Sequence, residues 1–318
     1  MSLVQSFVEE FQLSIKSRDT EEKLDLYFYR PFGFLIAKVA NFFNMTPTML
    51  SVFGLISGVV GGFCFLDPNN KINLIIGILL FILAGVFDSS DGQLARISGK
   101  STPLGLILDG ICDNIVFITI YLCAAYSFVD IYGPLIYLLA VLGGISHSFQ
   151  SAILDFYHRE YLYFGCGKCK DETYWNPGVD EAKKNILKAK TTKEKLFHRL
   201  RLSWIAQQNL LSGRSVSERL QMRSTLLSNK KDESVKFQTK YRLLNRPMLP
   251  FWRLLGPNFH TFSIIAFILC GRFDLYLLCI DLIFLNFVIV ILRPIQRRRD
   301  EKLIKATLVK TTLIKATN

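Results

Sequence analysis

Apolar residues in this chain gather in long runs rather than in short alternating strands. Six runs stand out, at 47–66, 72–95, 103–128, 134–154, 259–271 and 273–292. A helix needs about 20 apolar residues to cross a bilayer, so these predict six transmembrane helices. The fifth run is short and is expected to begin earlier, near Trp252. Residues 24–43 are also apolar but are interrupted by Asp25, Arg30-Pro31 and Lys38. That punctuation predicts a helix lying in the membrane interface rather than spanning it. Asn44-Met-Thr46-Pro47 supplies a cap and an N-terminal proline for the first span. Asp67-Pro-Asn-Asn70 and Ser98-Gly-Lys-Ser-Thr-Pro103 read as turns. The second turn makes the helices on either side antiparallel neighbours. Gly58, Gly61, Gly62, Gly143 and Gly144 suit close helix packing.

The fold class that follows is all-α. It is a polytopic membrane protein with six transmembrane helices, an N-terminal interfacial helix and a cytoplasmic insertion between helices four and five. Its expected organisation is 1–43 as an N-terminal segment, 44–155 as helices one to four and 156–250 as a basic insertion. Residues 251–293 then form helices five and six, and 294–318 a basic tail. Mean hydropathy of +0.29 agrees with a membrane protein and excludes a disordered chain.

Charge orients the spans. Residues 156–250 carry 20 Lys/Arg against 9 Asp/Glu, and the tail from Arg293 carries 8 against 2. The other loops are short. The positive-inside rule places both termini, the insertion and the aspartates of 88–113 on the cytoplasmic side. The net charge of +12 is thus gathered on one face, and anionic lipid headgroups match it better than nucleic acid. Residues 1–22 are polar and of mixed charge, without a secretory pattern. Within the insertion, 183–211 has a partly helical pattern on Leu187, Leu196, Leu200 and Trp204. It is expected to lie on the membrane or to be partly disordered, as a docking or regulatory element.

Seven cysteines give no disulfide framework. Five lie in apolar runs. Cys166 and Cys169 form a lone CxxC, with His158 and His198 near in sequence. It reads as a zinc site or as reduced thiols.

Against this background four aspartates are anomalous, because carboxylates at a bilayer edge are costly. Asp88, Asp91, Gly92 and Ala95 fall at i, i+3, i+4 and i+7, one face of a helix. Gly105, Asp109 and Asp113 fall at i, i+4 and i+8 on the next helix. Two facing helices would bring four acids to one point. They cannot share it unless cations neutralise them, and oxygen ligands at that density suit Mg²⁺, Mn²⁺ or Ca²⁺. Gly92 and Ala95 leave room on the helix face, and Arg96 stands one position past it, able to pair with a phosphate or a carboxylate.

The run Asp88-x2-Asp91-Gly92-x2-Ala95-Arg96-x8-Gly105-x3-Asp109-x3-Asp113 resembles the signature of the CDP-alcohol phosphatidyltransferases, with every fixed position met. The resemblance implies integral-membrane enzymes of phospholipid biosynthesis that act as homodimers. They transfer a phosphatidyl group from a CDP-linked lipid to an alcohol and release CMP. It implies two divalent ions, Mg²⁺ or Mn²⁺, held by Asp88, Asp91, Asp109 and Asp113. The CDP moiety would lie along Asp88, Asp91, Gly92, Ala95, Arg96 and Gly105. Asp113 would also be the general base.

The acceptor is less legible. His147, Gln150 and Ser151 share a helix face expected at the depth of the aspartates, and read either as a polyol pocket or as interhelical hydrogen bonding. Arg159, with Lys100, Arg246, Arg253 and Arg293, lies in the same expected plane and would hold a phosphate or anchor the membrane surface. Inositol or inositol phosphate is favoured. Glycerol 3-phosphate, serine, or a lipid hydroxyl receiving a CDP-activated head group remain alternatives. A divalent-cation transporter is the rival from another class. Asp281, near mid-span, is expected to pair with a polar group on another helix.

Overall fold

The computed structural model describes residues 3–100, 102–168, 174–175, 178–227 and 231–316. They form helices and turns, with no strand among the described residues. In chain order the α-helices are α1 (Leu3–Ser14), α2 (Arg30–Phe42), α3 (Pro47–Cys64), α4 (Lys71–Ser98) and α5 (Pro103–Tyr126). Then come α6 (Val129–Tyr132), α7 (Leu135–Glu160), α8 (Val179–Lys188), α9 (Thr192–Ser212) and α10 (Val216–Leu226). The last are α11 (Lys231–Asn245), α12 (Leu249–Trp252), α13 (Pro257–Leu269), α14 (Phe273–Leu275) and α15 (Asn286–Ala316).

Among the described residues, five stretches are long and apolar enough to cross a membrane: Pro47–Cys64, Lys71–Ser98, Ile107–Tyr126, Leu135–Gly165 and Phe273–Leu303. The fifth expected span is not among them. Its helix, α13, has 13 residues, about 20 Å at 1.5 Å per residue, against about 30 Å of hydrocarbon. Nor does it begin near Trp252. Gly256 is extended at φ −88° and ψ 164°. A residue before proline is pushed out of the helical region, so Pro257 starts a new helix.

The chain divides into two compact units. The first holds Met1–Ser148 and Pro257–Phe284. There α3 packs on both α4 and α5. A Cβ added at Gly58 would sit 2.5 Å from Val116, and one at Gly61 3.0 Å from the Gly77 carbonyl. Glycine is therefore what lets α3 approach α5 on one side and α4 on the other. Gly58 meets Val116 and Gly62 meets Ile120, so α3 and α5 run parallel. Gly54 meets Phe87 and Gly61 meets Leu80, so α3 and α4 run antiparallel. It follows that α4 and α5 are antiparallel, and Phe81 meets Phe117 at 5.7 Å between them. The turn joining them is closed by Gly99 in the left-handed conformation (φ 66°) and by Thr102, whose side chain caps the Gly105 N–H. The core of this unit includes Phe65, Phe81, Ile120, Tyr121, Ile264 and Leu277.

α2 buries Gly33, Phe34, Ala37 and Ala40 and turns Phe32, Leu35, Val39 and Phe42 outward. It lies along α4, so closely that a Cβ on Gly33 would fall 2.6 Å from Gln93 Oε1.

The second unit holds Phe149–Gly256 and Leu285–Asn318. Its core is Tyr161, Phe164, Trp175, Met222, Phe237, Tyr241 and Leu303. Arg214 is buried and bonds both Glu160 and Asp300, while Arg219 bonds Glu160 at 2.5 Å. Arg219 also lies over the rings of Phe156 and Trp175. The basic stretch 183–211, expected to lie on the membrane or to be partly disordered, is helical in α8 and α9. These helices pack on one another, and α9 opens with a Thr191–Glu194 capping box.

Candidate functional site

Asp88 and Asp91 come from the last turns of α4 and Asp109 from the second turn of α5. Each offers a carboxylate oxygen, and the three oxygens lie within 4.8 Å of one another. Asp91 is buried, Asp109 half-buried and Asp88 exposed, so the cluster is rooted in the bundle and open on one side. Ser51 of α3 donates a hydrogen bond to Asp91 Oδ2. It is the seat of α3 between α4 and α5 that delivers this hydroxyl. Asp113, one turn beyond Asp109, is exposed and stands outside the group of three.

The donor set is oxygen only. Two oxygens on one cation at about 2.1–2.5 Å can be no more than about 5 Å apart, so the spacing fits a hard divalent ion bound between the two helices. Among the described residues this is the grouping of acids, histidines or cysteines with such spacing.

The other signature positions fall around it. Gly92 and Ala95 are half-buried, and a Cβ on Gly92 would come nearest to the Arg96 guanidinium, with Nη1 at 3.4 Å. The Gly105 N–H is taken by the Thr102 hydroxyl at 3.0 Å. Arg96 Nε donates to the Ser14 carbonyl at the end of α1, a contact that the spacing of the signature does not announce.

Spacing also misses the second polar stripe of α4. Ser89, Gln93 and Arg96, at i, i+4 and i+7, adjoin the acidic face and hold the N-terminal segment. Gln93 Nε2 donates to Ser14 Oγ at 3.0 Å and to the Arg30 carbonyl at 3.1 Å. Arg30 donates through Nη1 to Ser89 Oγ at 3.1 Å and through Nε to Glu21 at 2.9 Å. Burial draws the Arg30 guanidinium down, but Glu21, with Asp25 and Asp88, holds it above its ordinary value. The one sequence signal for this stripe was two amide- or hydroxyl-bearing side chains inside an apolar run.

His147 does not share the depth of the aspartates. It packs on Phe117 at 4.3 Å, eight residues and about 12 Å along α5 from Asp109. There it joins a buried polar cluster. The Tyr121 hydroxyl meets His147 Nδ1 at 3.2 Å, the Tyr276 hydroxyl at 2.7 Å and Asp281 Oδ2 at 3.1 Å. His260 stacks on His147 at 3.7 Å and its Nδ1 meets Tyr276 at 2.7 Å. Tyr121 is thus a mid-span partner of Asp281. Of the two readings for His147, the interhelical one describes its contacts. In the second unit Gln150 is buried and Arg159 pairs with Asp155 at 2.5 Å. Cys166 is half-buried, and Cys169 lies outside the described residues.

Residues 44–168 match the sequence model of the CDP-alcohol phosphatidyltransferase family. The matched region holds α3 to α7 and all eight signature positions. An uncharacterised protein of Aquifex aeolicus is 36% identical over 84 residues, which is 25% of this chain and 40% of that relative. No solved structure matches the chain.

Proposed function

From a match of residues 44–168 to the CDP-alcohol phosphatidyltransferases, we propose that this chain transfers a phosphatidyl, or related phospholipid, group from a CDP-linked lipid to an alcohol, with release of CMP. The observation that carries the reading is the meeting of three signature carboxylates from two helices within 4.8 Å. Inside the family signature, that is a site for a cation-bridged diphosphate.

Asp88, Asp91 and Asp109, with Asp113 one turn on, would hold the divalent cations, Mg²⁺ or Mn²⁺. Bound there, the ions neutralise the diphosphate and stabilise the charge that builds on the departing phosphate. Gly92 and Ala95 leave the surface of α4 open to the nucleotide. Asp113 stands one turn beyond Asp109 and is exposed, as a general base must be to reach an incoming hydroxyl. It accepts the acceptor's proton while the acceptor oxygen bonds to the β-phosphorus. The bond from that phosphorus to the bridging oxygen breaks, and CMP leaves with the bridging oxygen.

In this reading α13 makes a sixth, short crossing, and α2 lies in the interface with Phe32, Leu35, Val39 and Phe42 toward lipid. The site and both termini face the cytoplasm, the insertion acts as a docking or regulatory element, and the enzyme works as a homodimer. The acceptor is inositol or inositol phosphate, with glycerol 3-phosphate and serine next. The basic residues of the cytoplasmic face support an anionic or polyol acceptor.

The test is CMP release by purified protein from CDP-diacylglycerol, with Mg²⁺ or Mn²⁺ and a panel of alcohols. Asp91→Asn and Asp113→Asn should each abolish it. Normal turnover in both variants would refute the mechanism, and metal uptake into proteoliposomes without CMP release would point to the transporter.

A further inference from the structure

Three carboxylates within 4.8 Å, with a fourth one turn away, repel any phosphate that comes without cations. The metal ions meet part of that demand, and the chain supplies a further part from outside the signature. Arg30 is tied to Ser89, the neighbour of Asp88 on α4, and Lys16 stands two residues past Ser14, which bonds Gln93 and Arg96 of α4. Neither lies in the matched region 44–168.

The Arg30 side chain is held rigidly, at 15% exposure. Nε is fixed by Glu21 and Nη1 by Ser89, the residue next to Asp88 on α4. Nη2 is taken by neither of these two bonds. The helical turn before α2, Asp25–Tyr29, is itself pinned, since Asp25 accepts a hydrogen bond from Asn258 of α13 at 2.9 Å. A guanidinium whose plane is set by two partners, with its third nitrogen still able to donate, is preorganised for an oxyanion. Lys16 is exposed in the bend after α1, where a flexible ammonium adds charge without geometry.

We propose that Arg30, assisted by Lys16, forms a phosphate-binding edge of the site, flanking Asp88 and donated by the N-terminal segment. This rests on the transferase reading above. The ligand chemistry is a phosphate oxyanion, either in the diphosphate of the CDP-linked donor or on a phosphorylated acceptor. On this view the N-terminal segment completes the substrate site, which the signature helices leave open beside Asp88.

The experiment uses the purified full chain with Mg²⁺ and three variants: Arg30→Gln, Glu21→Gln and Lys16→Gln. Binding of CDP and of cytidine is measured by calorimetry. Turnover is measured with CDP-diacylglycerol and either inositol or inositol phosphate. If the donor diphosphate is the ligand, Arg30→Gln weakens CDP binding tenfold or more and leaves cytidine binding unchanged. If an acceptor phosphate is the ligand, CDP binding is unchanged and KM rises for inositol phosphate but not for inositol. In either case Lys16→Gln gives a smaller loss of the same kind. Glu21→Gln breaks the ion pair but keeps the cation, so its loss should be severalfold smaller than that of Arg30→Gln. Equal losses in these two variants would mean that Arg30 merely fastens the N-terminal segment, and the proposal fails. It fails also if Arg30→Gln changes neither CDP binding nor either KM. The wild-type protein reports on the parent reading separately: no CMP release and no CDP binding there would refute the transferase itself.

Discussion

The Ser51 hydroxyl of α3 donates to the Asp91 carboxylate of α4, so one oxygen of a candidate metal ligand is oriented by a helix outside the acidic pair. Such outer partners hold a ligand in its productive rotamer and typically matter about 10–100-fold for metal affinity or activity. Ser51→Ala should therefore raise the Mn²⁺ concentration needed for half-maximal CMP release by about tenfold or more. A metal titration of the purified variant, followed by Mn²⁺ resonance and by turnover, checks this. An unchanged titration would mean that Asp91 is already fixed by its helix.

Chelation gives the second prediction. Three carboxylates with oxygens within 4.8 Å repel one another and any phosphate when no cation is bound. EDTA should stop turnover completely, and Mg²⁺ or Mn²⁺ should restore it. Activity that survives thorough chelation would remove the metal from the reading.

The third prediction concerns Gly58, where a Cβ would stand 2.5 Å from Val116 Cγ1. Overpacking of a close helix pair costs about 1–3 kcal/mol. Gly58→Ala should lower the melting temperature in detergent, because α3 and α5 must separate. Turnover should fall as well, since these two helices carry Ser51 and Asp109. A variant with wild-type melting and full activity would contradict the tight α3–α5 contact.

A fourth prediction separates stability from chemistry. Tyr121 binds His147, Tyr276 and Asp281 through one hydroxyl. Tyr121→Phe removes a donor from a buried carboxylate, a loss of about 1–3 kcal/mol. It lies 12 residues, about 18 Å, along α5 from Asp109. Thermal unfolding should shift while kcat of the folded fraction stays near wild type. A lost kcat with unshifted melting would give this cluster a part in the reaction.

The second unit offers a fifth. Arg214 is buried between Glu160 and Asp300. Removing one partner of a buried ion pair costs about 3–5 kcal/mol, because the other charge is left uncompensated. Arg214→Met should expose residues 178–245 to limited proteolysis at temperatures where the parent protein resists.

Much of this was legible along the chain. The run at 72–95 declares itself by apolar residues that end in acids at helical spacing, and Thr46 caps α3 as the Thr46-Pro47 pair suggests. Local chemistry suffices there, because a capping oxygen bonds within three residues. Where the fifth run's helix starts is not legible in this way: Pro257 acts on the residue before it, and apolar content alone does not register that. His147 was placed by its position in a run, yet depth is fixed by which residue of α5 it meets, and that is Phe117.

The sequence by itself determined the helical membrane architecture and the two acidic faces, because span length, helix period and the cost of buried charge are all read one residue at a time. Only the tertiary structure decided what meets those faces. Ser51 reaches Asp91 across 40 residues, Arg30 reaches Ser89 across 59, and Ser14 reaches Gln93 across 79. Such pairings depend on how closely glycine-lined helices approach, a distance that no local pattern encodes.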